Sequence, residues 1–182
     1  MEKWSQHPVI HNPLWSQYFI EESIQIKKIL GENILNIHQI GSTAIPGLLA
    51  KPIIDMLGEA KDIHKISHFK DAMFELGFVF QGEYGISERA YFNRKNGIAI
   101  HLHIFPQNHF QIEKHLLLRD YLLENIEATK TYQLKKEELL NTFPHDRQAY
   151  QNGKNDLVQE LTKAAYKWKG KKIPENIWPT SG

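Results

Sequence analysis

Cysteine is absent from the 182 residues. That rules out disulfides, thiolate zinc centres and cysteine nucleophiles, so any metal must be held by His, Asp or Glu. No run approaches the ~18 apolar residues of a membrane span, and the opening Met1-Glu2-Lys3-Trp4-Ser5-Gln6 has no apolar signal core. The expectation is a cytoplasmic protein with no membrane partner. An excess of positive charge is also missing: 22 basic residues face 21 acidic ones, for a net charge of +1. A long nucleic acid demands many phosphate contacts from a basic face, whereas a small phosphorylated ligand needs only a few cations. Internal repeats and low-complexity segments are absent too. What remains, 41% hydrophobic and 24% charged residues, is the composition of a globular chain able to bury a substantial core.

The pattern along the chain is mixed up to residue 106 and helical afterwards. Asn12-Pro13 starts a helix whose Trp15, Tyr18, Phe19, Ile26, Ile29 and Leu30 recur at helical spacing, and Gly31 stops it. A strand follows over 34–40, then one over 51–58. Asp62 caps a helix with an apolar stripe at Ile63, Ile66, Phe69, Met73 and Leu76, leaving His64 and His68 on its solvated face. Residues 78–80 form a short strand, and Gly82 and Gly85 mark a loop. Beyond Pro106, helices run to near Gly170, broken at Pro144 and restarted at Asp146, and a basic tail follows. The class is therefore α+β (α/β), a mixed β-sheet flanked by helices with a helical C-terminal portion. The expected organisation is one domain over 1–182: a core at 1–106, a helical portion at 107–170 and a tail at 171–182 with no readable role.

Arg89–Lys95, Asn96-Gly97 and Ile98–Phe105 predict a hairpin closed by a two-residue type I′ turn. Its register pairs Lys95 with Ile98, Phe92 with His101 and Ala90 with His103, which puts Glu88, Ala90, Phe92 and Arg94 on the face of the two histidines. Ile98, Ile100, Leu102 and Ile104 line the other face, towards the core. The histidine backbones stand about 7 Å apart by strand rise, near enough to share a ligand. The alternative is a face packed under the C-terminal helices, with each imidazole satisfied by one hydrogen bond.

Most of the chemistry lies in Ile40-Gly41-Ser42-Thr43-Ala44-Ile45-Pro46-Gly47-Leu48-Leu49-Ala50-Lys51-Pro52-Ile53-Ile54-Asp55, a strand, a glycine-serine turn, a short helical turn and a second strand carrying an acid. Glycine at 41 allows close backbone approach to a ligand, and Ser42 and Thr43 offer hydroxyls to an anion. The same residues also suit an ordinary turn, with Asp55 bonded to a neighbouring loop.

This stretch resembles the signature of the GrpB family, a branch of the polymerase-β-like nucleotidyltransferase superfamily. The likeness continues in Arg89-Ala90-Tyr91-Phe92, His101-Leu102-His103, Arg119-Asp120-Tyr121-Leu122 and Tyr150 with Lys154. The resemblance implies a nucleotidyltransferase-like sheet in which the glycine-serine turn holds nucleotide phosphates and strand carboxylates hold a divalent metal. Asp55 and Ser42 become the catalytic candidates. Gly41, Ser42, Thr43, Lys51, Arg89, Arg119 and Lys154 become the phosphate or nucleotide ligands. Asp55, His101 and His103 become the metal set. The match departs from the superfamily at Leu57, where a second carboxylate belongs, with Glu59 expected at or beyond the strand end. Asp with His suits manganese, iron or zinc better than magnesium. Gln39 stands where family members commonly carry a histidine. Three functions are open: nucleotidyl or phosphoryl transfer to a small acceptor, nucleotide binding without catalysis, and metal-dependent hydrolysis through Asp55, His101 and His103.

Overall fold

Asp55 sits mid-sheet, and the order of the strands explains how it gets there. A computed structural model describes residues 7–178; the readings of residues 1–6 and of the end of the tail, 179–182, fall outside the described residues. The elements, in chain order, are α1 (Leu14–Leu30), β1 (Ile34–Ile40), β2 (Ile53–Ala60), α2 (Lys70–Glu75), β3 (Val79–Phe80), β4 (Ala90–Arg94), β5 (Ala99–Pro106), α3 (Phe110–Glu124), α4 (Ile126–Thr142) and α5 (Arg147–Trp168). Short 3-10 turns occupy Ser42–Ala44 and Ile63–Phe69. The sheet is five-stranded, in the order β1-β2-β5-β4-β3. β2 and β5 pair in parallel and the other neighbours antiparallel, so the expected mixed sheet with a helical C-terminal portion is what forms. No described helix is long and apolar enough to cross a membrane.

The local starts follow side-chain chemistry. Asn12 accepts from the Leu14 amide at 3.0 Å, Asp62 from His64 at 3.0 Å, Asn125 from Ala128 at 3.0 Å, and Asp146 from Ala149 at 2.9 Å. Each satisfies an amide that the first helical turn leaves without a backbone acceptor.

The sheet has two unlike faces. On one, Ile54, Met56, Ala60, Ile100, Leu102, Ile104 and Phe92 pack with Trp15, Ile26 and Leu30 of α1 and Met73 of α2. On the other, Leu57 is fully buried with Ile40, Phe105 and Ile112, the last from α3. Asp55 lies on this second face one pleat from Leu57, opposite Ile40 of β1 and His101 of β5.

The hairpin differs from expectation by one residue. Tyr91 pairs with His103, Asn93 with His101 and Arg94 with Ile100. Gly97 has φ +68° while Asn96 keeps a negative φ, which excludes the type I′ turn because that needs both central residues left-handed. A longer connection shifts the partners, and a shift of one residue exchanges faces. Phe92 and Ala90 are therefore core residues, and Tyr91 and Asn93 accompany the histidines. The other β2 expectation is also corrected, since Glu59 lies inside the strand and pairs with His38 at 2.8 Å. Four residues of strand separate it from Asp55, about 13 Å, too far to share a metal. The start of the tail has a structural role as well: Ile177 is buried against Leu117, Ala165 and Tyr166, and its carbonyl accepts from Lys114.

Gly41 ends β1 with φ +69°, and a Cβ there would stand 2.6 Å from Asp55 Oδ2. A glycine is required on both counts. Gly41→Ala is expected to lower stability by about 1–3 kcal/mol in urea denaturation, through strain and displacement of the carboxylate. Leu57→Ala is expected to cost about 2–5 kcal/mol in the same measurement, as for other fully buried leucines.

Candidate functional site

The β1 end, the Ser42–Ala44 turn and the start of β2 form one wall of a cavity of about 300 Å³, and α4 and α5 form the facing wall. The glycine-serine turn brings Gly41, Ser42 and Thr43 to it, β2 brings Asp55, and β5 brings His101. Opposite them stand Tyr132 and Lys136 of α4, with Arg147, Tyr150, Gln151 and Lys154 of α5; Lys51 enters just ahead of β2. Four cationic side chains and one carboxylate therefore face the same space.

Lys136 is only 2% exposed. Its ammonium donates to Ser42 Oγ at 2.5 Å and to the Leu49 carbonyl at 2.6 Å, and lies 4.5 Å from the centre of the Tyr132 ring. Burial pulls its pKa down to about 7, reinforced by Lys154 and Lys51 and opposed by Asp55. Lys154 is lowered to about 8 by burial, and Lys51 to about 8 by burial and then by Arg147 and Lys154. Tyr132 is pushed up to about 12 by burial. The cations are thus crowded and partly withdrawn from water.

Asp55 Oδ1 stands 3.2 Å from His101 Nδ1. Ligand atoms of Asp55, His101 and His103 all lie within 4.8 Å of one another, a spread that one divalent ion can span. His103 is held differently from His101. Arg89 Nη1 is 3.1 Å from its Nδ1, and a guanidinium only donates, so the ring proton sits on Nε2. Burial lowers the His103 pKa to about 3, with Asp55 opposing, so the ring is neutral at neutral pH. Ligation through either nitrogen requires His103 to give up the Arg89 bond. Asp55 and His101 fit a metal without rearrangement, and His103 fits once that bond is exchanged.

The structure does not gather every candidate. Arg119 donates to the Gln39 carbonyl at 3.1 Å and pairs with Asp120. It braces the strand ahead of the turn, beside a separate pocket of about 70 Å³ that the half-buried His115 also lines. Arg89 points at His103 and at the backbone of 83–84 rather than into the cavity. Thr43 lines the cavity but is buried, with its carbonyl accepting from Gln39. Conversely, Lys136, Arg147, Tyr132 and Gln151 belong to the cavity wall and were not anticipated. For Lys136 a signal existed: Tyr132, Lys136 and Leu139 share one helical stripe, and all three are buried. Tyr91 was missed as well, because the expected register pointed it at the core.

The GrpB protein family model matches residues 9–164. The protein YqkA of Bacillus subtilis is 38% identical over 162 residues, covering 88% of this chain and 47% of that protein; this chain thus spans about half of that relative's length. The crystal structure of the conserved protein GrpB from Enterococcus faecalis superposes with a TM-score of 0.84 at 33% identity, covering 90% of this chain and 99% of that one. A more distant likeness, 14% identity and TM-score 0.50 over 70% of this chain and 39% of the other, is to Cid1, described as an RNA terminal uridylyl transferase; it is a likeness of fold. With a family match across most of its length and the same tertiary structure as a solved member, this chain belongs to the GrpB family.

Proposed function

We propose that the protein binds a nucleotide or another phosphorylated small molecule, with the phosphates in the cavity between the glycine-serine turn and α4–α5. One observation carries this reading: Lys51, Lys136, Arg147 and Lys154 converge on a space that Ser42 and Asp55 also line. Partly buried cations with lowered pKa values are costly unless an anion completes them. Lys136 steadies Ser42, Lys154 and Arg147 neutralise phosphate oxygens, and Asp55 with His101 and, after rearrangement, His103 would hold a divalent cation. When bound, that cation supplies further neutralisation of the phosphate charge. The reaction we assign to such a complex is transfer of a nucleotidyl or phosphoryl group to a small acceptor.

A second reading, binding without transfer, is favoured by Leu57. The position two residues after Asp55 is a buried leucine, and a two-metal transfer needs bridging oxygens for cations roughly 3.5–4 Å apart. Magnesium-dependent transfer is therefore expected to be weak or absent, with manganese or zinc the better supporting metal. Turnover of labelled nucleoside triphosphates under each metal checks this, and strong magnesium-only turnover that survives His103→Ala would refute it.

Binding is tested by calorimetry with pyrophosphate and nucleoside triphosphates. Lys154→Ala is expected to weaken both about tenfold and to flatten the salt dependence, and Ser42→Ala to weaken them less. Unchanged isotherms in both variants would remove the cavity as the site.

The same lysines give a pH signature. A bound anion favours the ammonium forms of groups whose pKa values are about 7 and 8 in the free protein. Affinity should therefore be greatest below pH 7 and fall towards pH 9, with net proton uptake on binding across that interval. In the unfolded chain these lysines stay protonated to higher pH, so the stability of the free protein should rise from pH 7 towards pH 10. Calorimetry in buffers of different ionisation enthalpy reads the uptake, and urea titrations read the stability.

A further inference from the structure

His103, beside Asp55, begins a row of rings that leads away from the cavity. Tyr91 stacks on His103 with centroids 5.0 Å apart and planes at 28°, and Tyr84 stacks on Tyr91 at 5.3 Å and 29°. Tyr91 is buried, but Tyr84 is 69% exposed. Arg89 binds the row together: its guanidinium lies 4.8 Å from the Tyr91 ring centre and 6.0 Å from that of Tyr84, and donates to His103 Nδ1 and to the carbonyls of Glu83 and Tyr84.

The loop presenting Tyr84 is held under strain. Tyr84 and Glu88 have φ of +46° and +60°, values that cost a non-glycine residue energy and persist only when neighbours over-determine them. Here the neighbours do so, since the Glu88 amide donates to Glu83 Oε1 and the Tyr91 amide to the Gly82 carbonyl. A strained, well-bonded loop thus holds a large ring open to solvent.

The sheet order fixes where this row stands. The cationic wall lies against the β1–β2 side, whereas Tyr91 is on β4, two strands beyond β2 and level with Leu57, which puts its backbone about 12 Å from that of Asp55. Asp55 thus lies between a cationic wall and an aromatic one.

We infer that the Tyr84–Tyr91 stack is a platform for a planar heteroaromatic ring, a second binding element adjoining the phosphate cavity. Its placement beside a phosphate site rests on the function proposed above. Stacking on an exposed tyrosine is insensitive to which base is presented, because every base has a π-face. Tyr91 and Arg89 keep Tyr84 in one orientation, so little side-chain entropy is lost on binding. The ring belongs either to the nucleotide whose phosphates fill the cavity or to a separate acceptor.

The test uses the full chain, wild type and with Tyr84→Leu and Tyr84→Phe, titrated by calorimetry with pyrophosphate, with ATP and with adenosine. Pyrophosphate has no ring and reads the cavity alone, and adenosine has no phosphate and reads the platform alone. Tyr84→Leu is expected to weaken binding of a ring-bearing ligand roughly tenfold, as loss of one stacking contact does. Pyrophosphate affinity should be unchanged and Tyr84→Phe should bind like the wild type. Loss confined to ATP assigns the platform to the donor's own base, and loss that includes adenosine assigns it to a ring bound independently, as an acceptor's would be. Equal affinities of wild type and Tyr84→Leu for both ATP and adenosine would overturn the inference. Failure of pyrophosphate to bind the wild type would overturn the phosphate reading, with the adenosine titration still deciding the platform.

Discussion

The ammonium of Lys136, buried between the Ser42 hydroxyl and the Leu49 carbonyl, is the contact on which the arrangement of the site depends. It ties α4 to both ends of the segment that leads from the glycine turn into β2, and so fixes the helical wall against the sheet. Taking a charged amine out of water costs several kcal/mol. Two short charge-assisted hydrogen bonds and the Tyr132 ring offset part of that. The remainder appears as a pKa near 7. On the proposed function, an anion entering the cavity would offset that remaining cost, so the interaction that organises the wall would also favour phosphate.

A second constraint acts from the sheet side. β2 is covered on both faces, so alternate residues divide between two cores, and only where α3 does not reach can a polar side chain remain. Asp55 occupies that gap, and Leu57, one pleat on, is already under α3 with Ile112. The same close packing makes Gly41 obligatory, because the Asp55 carboxylate fills the volume a Cβ would take. The site therefore contains one carboxylate for reasons of packing, and any metal held there would take its remaining protein donors from the β5 histidines.

Much of the fold was legible because it rests on local chemistry. Caps at Asn12, Asp62 and Asp146, apolar stripes at helical spacing and the β-branched run of β2 each fixed an element without reference to distant residues. The hairpin was recognised correctly as a hairpin but misregistered. Asn-Gly identifies a turn, yet loop length is set by how both strands seat on the core, and Phe92 rather than Tyr91 fills the space against Leu102. Lys136 is not legible as a buried residue, because a lysine in a charged helical run ordinarily lies in solvent and only the facing turn makes its burial tolerable.

The sequence by itself determined the element types and the glycine at the tight turn, since turn geometry and strand periodicity are properties of neighbouring residues, and it offered Ser42, Asp55, His101 and Lys154 as candidates that the fold brings to one cavity. Tertiary structure alone decided that α4 and α5 supply most of the cationic wall, that Arg119 braces β1 from outside the cavity, and that Tyr91 stands beside the histidines. Those outcomes depend on which faces meet across the fold. A shift of one residue in a strand exchanges its faces completely, and whether a charge is buried depends on partners more than eighty residues away, as Lys136 and Leu49 are 87 apart.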